Sequence, residues 1–500
     1  MSQSETAKGT NQRLMMLGLD AISLPFIQDN RRALPTLSSL LEEGQVRHLS
    51  TPATYLSASV WPSFLSGKQP GDHGQYFPFQ WSAELGRYRR IAGAQWSEES
   101  ADPPFWHRIA EGGVPTIAFD IGHALCNERA PCLQITNWSY QSSGAAKASN
   151  PHILAELRRR FGWRPIGPEV PIPKNARQCA AIQKRQIAAV KAKADATLYL
   201  MQKPWRLFVC GWYEAHRAGH NLWPVEGDFA SDSSPDAMLA VYQEVDRQLG
   251  RICTALEAAK TGASLLIFSL HGMEPNRAQD HFLPEILSRL NRLYLGERFN
   301  RFETPSAPNA MAFLRRVLPA TLQYRTASLL GETVQDWVVN RALTAGRKWH
   351  RTPSFSVISG GEGLIRLNLK GRESPGFFDP GSAEVSAYVA WLRERLSAIV
   401  VCETGEPLIG KIFDADELFP GTRRQFLPDL ILKWAPDAPV HRIRSPDIGE
   451  IEVSLATGRG GNHSDSAFMI AMGGPDIRRA VEPIQNIADL GNVPERMLLN

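Results

Sequence analysis

His216 and His220 stand four residues apart in Tyr213-Glu-Ala-His-Arg-Ala-Gly-His220. On a helical turn, positions i and i+4 share a face, so both imidazoles can reach one metal ion. Two further histidines sit at comparable places. His271 follows the apolar run Ser264 to Ser269, and His463 lies in Gly460-Gly-Asn-His-Ser-Asp465, a glycine-rich loop before the run Ala467 to Met472. Asp20 closes another run, Arg13-Leu-Met-Met-Leu-Gly-Leu-Asp20. Histidines and an acid recurring beside apolar runs point to one metal site assembled from distant parts of the chain. A hydroxyl is available as well. Ser57 lies in Tyr55-Leu-Ser-Ala-Ser-Val-Trp61, where a helix is expected to start near Ser57 to Ser59. A helix start offers free N–H groups to an oxyanion, and a cation can activate a hydroxyl there for attack on phosphorus or sulfur.

These residues need a frame. A short apolar run ending in an acid reads as a buried parallel strand delivering a carboxylate at its C-terminal edge. Val114 to Asp120 repeats that pattern, and Trp205 to Trp212 and Ser264 to Ser269 are two more such strands. Leu34 to Leu41, Phe105 to Glu111, Ala176 to Gln202 and Pro235 to Lys260 carry helical periodicity. The alternation predicts an α/β fold, a mostly parallel sheet sandwiched by helices, with ligands bound outside the carboxyl ends of the strands. Three parts are expected: a core over 13–281, a helical cap over 282–350, and a strand-rich segment over 351–500 that returns to the core with His463. The cap contains the helical patterns Leu283 to Leu290, Ala310 to Leu330 and Glu332 to Ala345, and Asp429 to Trp434 and Ala467 to Met472 read as the last strands. In the strand-rich segment, Arg366, Asn368, Lys370 and Arg372 recur at period two and are expected on one strand face.

Composition excludes several classes. With 43% hydrophobic and 21% charged residues the chain is not a disordered one. A net charge of +4 over 500 residues is too weak to imply a nucleic-acid partner. No run of 18 uncharged apolar residues predicts a membrane span. The six cysteines form no C-x-x-C pair, which excludes zinc-ribbon and thioredoxin-type readings and predicts a cytoplasmic protein with free thiols. The lysines and arginines of Ala176 to Gln202 read as a solvated helix face. Nothing in the sequence assigns an oligomeric state.

In combination, the motifs resemble the alkaline phosphatase superfamily, and within it the type I phosphodiesterase/nucleotide pyrophosphatase group. The resemblance rests on Gly-Leu-Asp20, Trp61-Pro-Ser-Phe-Leu-Ser-Gly-Lys-Gln-Pro-Gly-Asp-His-Gly74, Glu214-Ala-His-Arg-Ala-Gly-His220, Ser269-Leu-His-Gly-Met273 and Gly461-Asn-His463, in that order over about residues 13 to 478. It implies a two-metal site, usually zinc, on an α/β sheet. Aligned back from Ser66-Gly67, the nucleophile of the family falls on Ser57. Asp20 would bind one metal together with Ser57 and His271, and His220 and His463 would bind the other.

The chain departs from that pattern where the family has Asp at the positions of Leu270 and His216, and where nucleotide pyrophosphatases place an Asn near Val60 to hold the phosphate. Asp20 is then the one carboxylate kept. His216, His220 and His463 make a three-histidine set sufficient for one catalytic zinc, so one tightly held zinc is expected and a second weak or absent. Glu214 is a candidate ligand or a partner that orients a histidine, and Lys68 and Arg217 are candidate anion contacts. The expected activity is a phosphodiesterase-like hydrolase or transferase of a small, anionic phosphoester, with a serine nucleophile. The alternatives are a degenerate member that binds a ligand or partner without turnover, and a specialised-pathway enzyme acting on a non-phosphate substrate.

Overall fold

Leu14–Leu19 is the central strand of an eight-stranded sheet and is buried along its whole length. In order across the sheet the strands are Gln45–Leu49, Ala467–Met472, Ser264–Ser269, Leu14–Leu19, Leu207–Trp212, Thr116–Phe119, Leu133–Thr136 and Lys147–Ala148. The five from Ser264–Ser269 to Leu133–Thr136 run parallel, and antiparallel strands close both sides. Alternate side chains of Leu14–Leu19 enter two apolar layers, Met15, Leu17 and Leu19 on one face and Leu14 and Met16 on the other. A sheet buried on both faces reads as an unbroken apolar run, and this is why these strands were visible in the sequence. Helices Pro35–Glu43, Ala176–Met201, Glu214–Leu222 and Ala237–Ala258 contribute to the first layer, and Val60–Ser66, Phe105–Glu111, Pro475–Val481 and Asn492–Leu498 to the second. The longest, Ala176–Met201, starts with a capping box between Asn175 and Gln178.

The computed structural model describes residues 12–91, 103–124, 126, 129–140, 145–167, 174–224, 232–296, 337, 340, 351–453 and 459–499. They fall into two units, one within Met1–Gln69, Ala92–Pro275 and Gly458–Asn500, the other within Pro70–Ile91 and Asn276–Thr457. The expected helices Ala310 to Leu330 and Glu332 to Ala345 lie outside the described residues, apart from Trp337 and Asn340. Among the described residues, no helix is long and apolar enough to cross a membrane. All six cysteines are free.

The second unit holds a four-stranded antiparallel sheet in the order Ser354–Ser356, Gly363–Leu367, Leu430–Trp434, Ile409–Asp414, and a three-stranded one of Val400–Val401, Arg442–Ser445 and Gly449–Glu452. Leu430–Trp434, expected as one of the last strands, is a strand of this sheet and not of the large one. The period-two cation ladder is corrected, because the strand stops at Leu367. Arg366 is buried against Glu373 and donates to the carbonyls of Leu427 and Gln425, while Arg372 makes a forked contact with Asp429. These arginines tie loops of the second unit together.

Candidate metal centre

Neighbouring parallel strands deliver the candidate residues at their C-terminal ends. Leu19 and Trp212 are register partners, and the Asp20 N–H donates to the Trp212 carbonyl at 2.9 Å. Asp20 thus sits beside the start of helix Glu214–Leu222, which carries His216 and His220. Ser264–Ser269 leads directly to His271. The segment read as a glycine-rich loop at 460–465 contains a strand, Gly461–Ser464, which pairs with Gly272–Pro275 and sets His463 opposite Met273. A Cβ on Gly461 would lie 2.6 Å from the Gly219 carbonyl oxygen. Only glycine lets this ribbon approach the histidine helix so closely.

The structure brings four imidazoles and one carboxylate together. His216 Nε2 lies 2.9 Å from His220 Nε2 and 2.8 Å from His463 Nε2. The His271 ring centroid is 4.5 Å from that of His463 and 5.4 Å from that of His216. Asp20 contacts His216 Nδ1 through Oδ2, while its Oδ1 accepts from Trp61 Nε1 at 3.0 Å and lies 3.4 Å from His271 Nε2. His220 Nδ1 donates to the Gly461 carbonyl at 2.9 Å and His271 Nδ1 to the Gly272 carbonyl at 3.0 Å. Each of these rings therefore presents an Nε2 lone pair, the tautomer in which a histidine binds a metal. His216, with Nδ1 toward Asp20, presents its own lone pair to His220 and His463. At most one proton, on His463, faces three converging nitrogens. Such a cluster is short of positive charge, and a divalent cation fits it.

The electrostatics agree. Burial raises the cost of the Asp20 charge, but His216 and His271 outweigh it and hold the carboxyl below the usual carboxylate range. Burial holds His220 well below the ordinary imidazole value, with Arg459, His216 and His463 adding to the effect. His463 is held down likewise by burial, then by His271, His216 and Arg459. Both rings are neutral near pH 7, the state a metal ligand needs.

The other candidates are placed as follows. Ser57 is buried in the turn Ser57–Ser59, which runs directly into helix Val60–Ser66, whose Trp61 holds Asp20. Glu214 lies two positions before His216 and so points off the opposite side of the helix. Its carboxylate accepts from Ser139 Oγ at 3.2 Å and from the Tyr213 N–H at 3.0 Å, away from the imidazoles. Arg217 is not a surface cation; it is 1% exposed. Lys68 is exposed, just past the far end of the Val60–Ser66 helix from Ser57. Leu270 packs in the apolar layer beneath the sheet edge.

Sequence reasoning passed over a second buried cluster. Lys193, in the helix read as a solvated face, is 0% exposed; it contacts Asp120 and donates to the Gly211 carbonyl at 3.1 Å. Asp120 also accepts the N–H groups of Trp138 and Ser139, both at 2.7 Å. Burial alone would lower the Lys193 pKa, but Asp120 and Glu214 raise it above its ordinary value. Asp120 closes its strand as Asp20 does, which was the available signal; Lys193 gave none among its many basic neighbours.

Comparison with known proteins bears on the whole chain. The family model described as type I phosphodiesterase/nucleotide pyrophosphatase matches residues 14–435, a span that holds Asp20, Ser57, His216, His220 and His271 and ends before His463. Two solved structures of phosphonoacetate hydrolase from Sinorhizobium meliloti 1021 share the fold. The complex with phosphonoacetate has a TM-score of 0.52 at 13% identity, and the complex with phosphonoformate 0.50 at 12%; each covers 98% of this chain and 97% of the other. A murine ectonucleotide pyrophosphatase/phosphodiesterase 5 aligns over 98% of this chain and 95% of its own at 12% identity, with a TM-score of 0.47. None of the curated proteins compared with the chain matches it in sequence.

Proposed function

For a chain that belongs to the type I phosphodiesterase/nucleotide pyrophosphatase family of the alkaline phosphatase superfamily, we propose a zinc-dependent phosphodiesterase that uses Ser57 as nucleophile and one tightly held ion. The convergence of His216, His220 and His463 Nε2 atoms, with Asp20 on the far nitrogen of His216, carries this reading. Three neutral imidazoles and one outer carboxylate suit a single zinc with an open position better than a pair of dications. Zinc bound there supplies Lewis acidity to the phosphoryl oxygens and favours the ionised serine hydroxyl.

The chain's own residues do the rest. Asp20 stays ionised and orients His216, and Trp61 fixes Asp20 in turn. Ser57 Oγ bonds to phosphorus as the ester oxygen leaves with a proton, and water then opens the seryl phosphoester. Arg217 is the proposed anion contact, and Lys68, farther from Ser57 along the helix, is the weaker one. A diester carries one negative charge, which suits a site with few compensating groups. The protein's place is the cytoplasm, in keeping with six free thiols.

The test combines zinc content after exhaustive dialysis with a panel of p-nitrophenyl mono- and diesters, phosphonoacetate and p-nitrophenyl sulfate. One zinc per chain and hydrolysis of bis(p-nitrophenyl) phosphate, lost in Ser57→Ala with zinc retained, are expected. Two tightly bound ions would overturn the single-ion site. Unchanged turnover in Ser57→Ala would remove Ser57 as nucleophile, and full zinc binding with no turnover of any ester would favour the binding-only alternative.

A further inference from the structure

Leu154 and Leu157 bury one side of the helix Pro151–Phe161, and its last turn carries Arg158, Arg159 and Arg160. Cations there complement the carbonyl end of the helix. Gly162, at a φ of 103°, ends it, and the next residue, Trp163, is 71% exposed. The helix end accounts for the arginines but not for the indole, a large apolar ring that is buried for the most part in folded proteins. The surroundings of that ring are cationic. The Arg158 guanidinium lies 3.9 Å from the centre of the Trp163 ring. Arg160 and Lys203 lie over the Tyr199 ring at 4.8 and 4.9 Å. Arg159, between the two arginines in sequence, is exposed. Against these four cations stands one carboxylate, Glu156, which Arg160 and the Tyr199 hydroxyl engage, so the patch holds a surplus of three positive charges.

An exposed indole beside surplus cations matches the chemistry of an anionic phospholipid surface. The indole sits at headgroup level, and guanidinium and ammonium groups bind the lipid phosphates. A nucleic acid offers phosphates too, but a single strand is held in a groove where several aromatic faces stack on successive bases. Here one indole projects from a helix end, and Arg158 covers one of its faces. Among the described residues of the first unit, Leu499 is the only other exposed large apolar side chain. It lies by Gly112, on the side of the sheet away from the helix Pro151–Phe161.

We propose that Trp163 and the cations Arg158, Arg159, Arg160 and Lys203 form a docking surface for an anionic phospholipid bilayer. Among the described residues no helix can cross a membrane, so the attachment is peripheral. One inserted ring and a few cations give weak, reversible binding that needs both contributions. The surface is separate from the metal centre and goes beyond the phosphodiesterase reading.

The experiment mixes the full-length, zinc-loaded protein with phosphatidylcholine vesicles, with and without phosphatidylglycerol, and separates bound from free protein by sedimentation. Binding is expected to the anionic vesicles alone and should vanish near 1 M salt, where the screening length falls to about 3 Å. Arg158→Gln combined with Arg159→Gln should lower the partition coefficient about 25-fold, which is about fivefold for each charge. Trp163→Ala should lower it about tenfold. Arg478→Gln combined with Arg479→Gln removes the same charge from exposed positions on a helix of the other layer, and should leave binding unchanged. No binding to the anionic vesicles, a Trp163→Ala protein that binds like the wild type, or equal losses in the two double variants would overturn the proposal, the last by assigning the attraction to net charge. A single-stranded oligonucleotide that bound more tightly than the anionic vesicles, and lost its binding in the same variants, would make nucleic acid the partner and overturn it as well.

Discussion

Two buried polar clusters lie at the same end of the large sheet and meet their charges differently. Around Lys193, unlike groups meet: an ammonium touches the Asp120 carboxylate and the Gly211 carbonyl, and Asp120 takes two backbone N–H groups besides. Around His216, like groups meet: its Nε2 faces those of His220 and His463 at 2.9 and 2.8 Å. The first cluster is complete within the chain. It joins the ends of Thr116–Phe119 and Leu207–Trp212 to the helix Ala176–Met201. On the reading proposed above, a cation would complete the second. Burial alone therefore does not mark a functional group; what matters is whether the chain supplies the complementary charge.

Breaking each cluster should separate binding from folding. His220→Ala removes one of three converging nitrogens and should lower zinc affinity by at least 100-fold and diester turnover by about 10³, with little loss of stability in the zinc-free protein. Metal titration monitored by a chelating dye measures the first, and urea unfolding the last. Lys193→Met should do the reverse. It strands the Asp120 carboxylate in the interior, which costs about 3–5 kcal/mol, while the folded fraction keeps its zinc affinity. Adding Asp120→Asn to Lys193→Met should restore part of the loss. If Lys193→Met left the urea midpoint unchanged, the first cluster would not be the structural one.

The two clusters should also fail at opposite ends of the pH scale. His220, His463 and His123 have folded pKa values below the unfolded value of about 6.5. Below that pH the unfolded chain takes up protons that the folded rings refuse. Stability of the zinc-free protein should fall by about 1.4 kcal/mol per pH unit for each such ring. Asp20, held low, keeps its contribution above about pH 3.9 and loses it only in stronger acid. Lys193 is shifted upward. Its contribution is complete below about pH 10.4 and disappears as pH rises through the folded value. Urea midpoints of the zinc-free protein from pH 5 to 11 should fall at both ends. Removing His220 and His463 should flatten the acid limb alone.

The same contrast explains what could be read in advance. Strands buried on both faces announce themselves as apolar runs, so Leu14–Leu19, Leu207–Trp212 and Ser264–Ser269 were legible, and so were the residues at their ends. Gln45–Leu49 was not: it is an edge strand of mixed polarity, and it becomes a strand by pairing with Ala467–Met472. Gly461–Ser464 looked like a loop because its glycine serves close packing against Gly219. His216 and His220 were found because helical spacing is local. Lys193 was missed because its partner, Asp120, lies 73 residues away, and nothing in the sequence distinguishes one inward cation from its outward neighbours. Trp61 opens the run Trp61 to Gly74, but its hydrogen bond to Asp20 depends on the meeting of distant segments.

Leu270→Asp gives the finest version of the comparison, because it adds to the histidine cluster the kind of charge that completes the Lys193 cluster. Leu270 is 1% exposed, precedes His271 and packs with Phe268 and Val60 in one apolar layer. A carboxylate there without a partner should destabilise the zinc-free protein by about 2–4 kcal/mol. With zinc in excess the penalty should shrink, since the introduced carboxylate, Asp20 and His271 then offer two carboxylates and an imidazole to a second ion. The expected result is a rise from one to two bound zinc ions and a urea midpoint that depends on zinc concentration more steeply than in the wild type. If the variant bound one ion and stayed equally destabilised at every zinc concentration, charge at that edge would not be what limits the second ion, and the shape of the imidazole cluster would have to be.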